Sequence, residues 1–145
     1  MDLDFSDFRS VRQASQTTNA RVSPGNIPPI TLFILSAGYQ DFGKQVWTPD
    51  SFDKTFSANY LGHRLLTLCL MRSMDKEPGR IVVIGSQAHD GPGDKRNDPT
   101  RAFADERYKT TIQDKGSIDA IAKGTWSLAK EDPILAKRAP TLWCS

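Results

Sequence analysis

Two short, nearly unbroken apolar runs, residues 30–35 and 80–84, constrain this 145-residue chain more than any other feature. Neither alternates polar with apolar residues, as a strand with one wet face would. Continuous runs of this kind belong to parallel strands covered on both faces. Between them Phe52, Phe56, Asn59, His63, Leu66 and Leu70 recur every three or four positions, which places them on one face of a helix. Thr48 is suited to cap that helix, Pro49 to its first position and Asp50 to its first turn. The spacing therefore predicts a helix over 49–73, stopped by Lys76-Glu77-Pro78-Gly79. Strand, helix and strand in this order make a right-handed crossover, and hence an α/β fold built on a parallel sheet.

The rest of the chain is less patterned. Ser6 is placed to cap a helix over 7–16, with Phe8, Val11 and Arg12 at helical spacing, and the Ser/Thr/Asn/Gly/Pro-rich stretch 17–29 reads as a loop. After Ser86, residues 87–105 read as a long loop, followed by a short helix within 104–114 and an amphipathic piece over 117–126. Residues 133–145 show no usable period and read as an irregular, non-native tail, leaving 1–132 as the domain. A formal charge of +2, with no run of like charge, argues against a nucleic-acid partner or an anionic membrane surface. No segment approaches the roughly 20 apolar residues of a membrane span, and the acidic start, Met1-Asp2-Leu3-Asp4-Phe5, is unlike a secretory signal. Cys69 and Cys144 do not make a disulfide framework, so a cytoplasmic location is expected. His89, Asp90, Asp94 and Asp98 lack the spacing of a zinc site, so no metal is expected.

Ligands of open α/β sheets bind beyond the carboxyl ends of the strands. Gly38 and Ser86 follow those ends and Asn59 lies on the joining helix, so the pattern brings the three to one edge. Each also has a plain structural reading: a turn glycine, a capping serine, a buried asparagine satisfying backbone groups. Their conjunction resembles the short-chain dehydrogenase/reductase family. Leu35-Ser36-Ala37-Gly38 is similar to that family's Asn-Asn-Ala-Gly turn, with Leu35 and Ser36 in place of the two asparagines. Asn59, Gly62, Leu66 and Thr67 match an Asn-x-x-Gly-x-x-x-Leu-Thr helix, most closely that of the retinol-dehydrogenase-like branch. Residues 81–89 resemble the strand that carries the family's serine, and Leu3-Asp4-Phe5-Ser6 resembles its Asp-Leu-Ser element. The resemblance spans roughly residues 3–90.

The resemblance implies a partial Rossmann-like, doubly wound parallel sheet, truncated at both ends. It implies an oxidoreductase using NAD or NADP on an alcohol or carbonyl substrate. Ser86 would bond the substrate oxygen and Asn59 would hold a water in a proton relay. Asp4 would touch the adenine, and Ser36, Ala37 and Gly38 would line the cofactor. Helix 49–73 would serve homo-oligomer formation, as it often does in related enzymes.

Two elements of such an enzyme are missing. Four residues after Tyr39, Tyr60 and Tyr108 stand Gly43, Arg64 and Ile112, so there is no Tyr-x-x-x-Lys to lower a tyrosine pKa from about 10. The glycine-rich turn that seats a pyrophosphate is also absent, which counts against firm cofactor binding by this chain. The expectation is a truncated, inactive and marginally stable fragment, whose unpaired strand edges favour association. The alternative is a non-catalytic remnant acting as a binding or dimerisation module. A serine hydrolase on Ser86 with His89 or His63 is disfavoured, because residues 84–88 lack the second glycine of a nucleophile elbow.

Overall fold

A computed structural model describes residues 2–40, 45–85 and 115–125. The first helix, α1 (Phe8–Val22), is capped by Asp7, whose carboxylate accepts from the Arg9 amide at 2.9 Å. Ser6 is not the cap: its hydroxyl donates to the Asp4 carboxylate at 2.7 Å. Val11, Ala14, Ser15 and Asn19 form the buried face of α1. The helix runs on through 17–22, where composition predicts a loop. Its hydroxyls are satisfied within the helix, Thr17 donating to the Gln13 carbonyl and Thr18 to that of Ala14. Buried Asn19 then ties the last turns to the second helix, donating to the Cys69 carbonyl at 3.0 Å and accepting from the Ser73 hydroxyl.

Strands β1 (Leu32–Leu35) and β2 (Arg80–Val83) pair in parallel, Leu32 opposite Arg80 and Leu35 opposite Val83, and the crossover between them is helical, as the pattern requires. This mixed helix-and-strand arrangement, with its small two-stranded sheet, is compatible with part of a Rossmann-like fold. The expectation of burial on both faces needs correction. Phe33 and Leu35 turn towards the helices, but Leu32, Ile34, Val82 and Ile84, on the opposite face by the period of two, are 39–54% exposed. On the helix-facing side the described helices cover β1 alone, since Ile81 and Val83, which share that face by the register, are 42% and 58% exposed.

The second helix, α2, spans residues 54–73. It is α-helical over Lys54–Phe56, takes a π turn over Ser57–Leu61, resumes as Gly62–Leu70 and closes with a 3₁₀ turn at Met71–Ser73. Its cap is Asp53, accepting from the Phe56 amide at 2.9 Å. The predicted start at Pro49 is displaced by a tight turn: the Ser51 amide donates to the Thr48 carbonyl at 2.9 Å, with Pro49 in the second position. Proline's fixed φ suits the second place of a turn as well as the first of a helix. The predicted inner face holds from Phe56 on, since Phe56, Asn59, His63, Leu66 and Leu70 are all buried, whereas Phe52 precedes the helix and is half-buried. Leu66 and Leu70 meet Val11 of α1 in one apolar cluster, with Ile30 and Phe33 beneath.

A third helix, α3 (Lys115–Ala122), overlaps the predicted 117–126 piece but ends at Ala122, ahead of a turn at Gly124 with positive φ. Its last carbonyls are clasped by the 45–53 loop: the Asp53 amide bonds Ala122, the Trp47 indole bonds Lys123, and the Gln45 amide bonds Gly124. Ile121 and Ala122 pack on Phe56. The helix expected within 104–114 and the tail 133–145 lie outside the described residues. No helix among the described residues is long and apolar enough to cross a membrane.

Candidate functional site

The site is built by α2, which holds two other pieces of chain against itself. At the π turn the Gly62 amide reaches back to the Ser57 carbonyl, adding one residue to the turn and rotating the side chains within it; turns of this kind are frequent at functional sites. Buried Asn59 lies inside it. Its amide oxygen accepts from the Tyr39 backbone N–H at 2.7 Å, and its amide nitrogen donates to the Tyr39 carbonyl at 2.8 Å. One side chain thus clamps the segment that leaves β1.

Gly62 seats the second piece. A Cβ there would overlap the Phe5 carbonyl oxygen and come within 2.9 Å of its carbon, so the Phe5 backbone lies directly on the helix. The neighbouring His63 presents its ring edge-on to Phe5, with 4.3 Å between centroids. Residues 3–6, Ala37-Gly38-Tyr39 and the Lys54, Ala58 and Asn59 side of α2 together enclose an open cleft of about 390 Å³. It lies beyond the carboxyl end of β1, where ligands of open α/β sheets bind.

Asp4, Ala37, Gly38 and Asn59, singled out separately in the sequence, therefore meet on one cleft. Ser36 is exposed just behind it and does not line it. Ser86 lies outside the described residues. Sequence reasoning missed Lys54 and Tyr39. The signal for Lys54 was its place one turn before Ala58, on the face that leads to Asn59.

Asp4 accepts from both the hydroxyl and the amide of Ser6, at 2.7 and 2.8 Å. These bonds first, and then the charge of Lys54, hold its carboxyl below the ordinary carboxylate value. An ionised acceptor thus stands on the cleft wall at neutral pH. The Lys54 ammonium rests 4.8 Å from the centre of the Tyr39 ring. Among the described residues, no group of His, Cys, Asp and Glu could hold a metal ion.

His63 is buried, and its Nε2 has no hydrogen-bond partner among the described residues. Burial lowers its pKa below the ordinary 6.5. The unfolded chain then binds more protons than the folded one between the two values, so stability rises with pH through that window. His63 favours the fold above about pH 6.5 and loses that contribution as pH falls through the folded value. Urea titrations across pH 5–8 should show progressive acid destabilisation that flattens in His63→Leu; an unchanged slope in the variant would reject the assignment.

No family model matches the chain, and no solved structure matches it. Curated proteins do. The chain is 37% identical over 143 residues to the short-chain dehydrogenase iccH of Talaromyces variabilis, covering 90% of this chain and 39% of that protein. It is 36% identical over 96 residues to the polyprenol dehydrogenase of Danio rerio (63% of this chain, 28% of the relative). Against retinol dehydrogenase 12 of Mus musculus the identity is 33% over 88 residues (60% of this chain, 26% of the relative). The chain thus spans well under half the length of each of these relatives.

Proposed function

We propose, from the premise that this chain belongs to the short-chain dehydrogenase/reductase family, that its cleft receives the adenine end of NAD or NADP. The chain would then supply part of the cofactor-binding half of an oxidoreductase acting on an alcohol or carbonyl. The observation that carries this reading is the convergence of Asp4, Ala37, Gly38 and Asn59 on one cleft at the carboxyl end of β1. The residues fit the group. A Cβ on Gly38 would meet nothing within 4 Å, so the backbone there faces open space that a flat ring can enter. The ionised Asp4 carboxylate is an acceptor for an exocyclic amino group. The cleft volume lies within the roughly 300–1,000 Å³ typical of ligand sites.

When bound, the cofactor supplies the hydride chemistry. In this reading Ser86 bonds the substrate oxygen and Asn59 places a water, after first fixing the Tyr39 backbone. Two of the relatives are named for polyprenol and retinol, which favours an alcohol as substrate. With no Tyr-x-x-x-Lys among its 145 residues, the chain should not turn over NAD(P)H unaided.

Calorimetric titration with NAD⁺ tests the reading. Gly38→Val should leave the urea midpoint within about 0.5 kcal/mol of the parent. Its NAD⁺ affinity should fall at least about tenfold, equivalent to ~1.4 kcal/mol. Unchanged affinity in the variant would refute it, whereas steady NAD(P)H oxidation by the parent chain would overturn the expected lack of turnover. A second reading, a non-catalytic dimerisation module, is favoured by the apolar outer face of α2, where Tyr60, Leu68 and Met71 are 42%, 61% and 57% exposed. Concentration-dependent sedimentation without nucleotide binding would favour that reading.

A further inference from the structure

We propose, resting on the nucleotide reading above, that Lys54 is the phosphate-recognising residue of the cleft, so that the site prefers a phosphorylated adenine nucleotide to the bare nucleoside. Lys54 lines the cleft together with Asp4 and Tyr39. It forms no ion pair with any described residue, and among the described residues its ammonium rests against the Tyr39 ring. The nearby Asp4 carboxylate makes no ion pair with it, its Oδ1 accepting from the Ser6 amide and hydroxyl, and the two charges act on each other across the cleft.

One cleft therefore presents an acceptor and a cation that no described residue pairs. A cation on a partly exposed aromatic face is held weakly, whereas a hydrogen bond between an ammonium and a phosphate is charge-assisted on both sides. An arriving phosphate can thus draw Lys54 off Tyr39 or bind over it. Lysine acts here as a mobile point charge with three donors, which suits a phosphate approached from one side. The ligand that satisfies both charges carries an amino-bearing base and a phosphate on one frame. A neutral nucleoside would satisfy Asp4 alone.

The test is calorimetric titration of the full chain with adenosine, AMP and inorganic pyrophosphate, for the parent, Lys54→Gln and Lys54→Arg. AMP should bind about tenfold more tightly than adenosine, the scale of one charged hydrogen bond. Added salt should narrow that margin. Lys54→Gln should erase it while leaving adenosine unchanged, and Lys54→Arg should largely restore it. The assignment is overturned if Lys54→Gln weakens adenosine and AMP alike, since the lysine then only braces Tyr39, or if the AMP margin survives the substitution. Should adenosine not bind at all, the nucleotide reading fails and pyrophosphate decides the lysine on its own. Pyrophosphate binding that needs Lys54 upholds the anion site, and its absence overturns it.

Discussion

Gly62→Ala should destabilise the chain by about 2 kcal/mol or more, against the sign that helix propensity predicts. Alanine is favoured over glycine inside a helix by roughly 1 kcal/mol, and Gly62 opens the longer α-helical stretch of α2. On propensity alone the substitution would stabilise. The opposing effect is steric. The atom a Cβ would overlap is the Phe5 carbonyl oxygen, with the Phe5 carbon and Cβ at 2.9 and 3.0 Å. Backbone cannot rotate aside as the end of a long side chain does. Phe5 is also restrained by the edge-on His63 ring and by the turn in which the Asp7 amide bonds the Asp4 carbonyl. Overpacking of this kind costs about 1–3 kcal/mol, occasionally more, and here residues 3–6 would lift from the helix and open the cleft. Gly38→Ala is the control, because a Cβ there meets nothing within 4 Å and should change stability little. If Gly62→Ala instead raises the urea midpoint, Phe5 is not docked on α2.

The parallel pair and its crossover were legible because they rest on patterns spread over many residues: two nearly continuous apolar runs with a helical period between them. The inner face of α2 was legible for the same reason, its period surviving from Phe56 to Leu70. Boundaries set by single hydrogen bonds were not. Ser6 and Asp7 are both good caps, and the choice fell to Asp7 because Ser6 was drawn to Asp4. Thr17 and Thr18 read as loop residues until Asn19 anchors that stretch of helix to Cys69 and Ser73, interactions across 50 and 54 positions that local composition does not report. The π turn was invisible too. Its sequence, Ser57-Ala58-Asn59-Tyr60-Leu61, is ordinary for an α-helix, and only the contacts of Asn59 with Tyr39 and Gly62 with Phe5 give it a purpose. The motif residues of the candidate site were therefore found by resemblance, while what each of them holds in place needed the fold.

Asn59→Asp should cost about 2–4 kcal/mol, even though the two side chains are nearly identical in shape. Asn59 is 3% exposed and spends an acceptor and a donor on the same residue, the Tyr39 N–H and C=O. An aspartate keeps the acceptor and loses the donor, and its negative charge then faces the Tyr39 carbonyl in a place shielded from water. Leaving a buried polar group unpaired costs roughly 1–3 kcal/mol, and more when a charge is involved. The deficit should shrink on acidification, because a protonated carboxyl regains an O–H to donate. Asn59→Leu, which abandons both Tyr39 groups, should be at least as destabilising and should show no such recovery at low pH. Tyr39→Ala separates the clamp from the ring: it leaves both backbone bonds to Asn59 in place and removes only the surface on which Lys54 rests, so it should cost far less than either Asn59 variant. Urea midpoints for the three variants at pH 5 and pH 8 decide the matter. If Asn59→Asp unfolds at the parent's midpoint at both pH values, Asn59 does not clamp Tyr39. The joint between β1 and α2, and the cleft wall built on it, would then have to be held by other contacts.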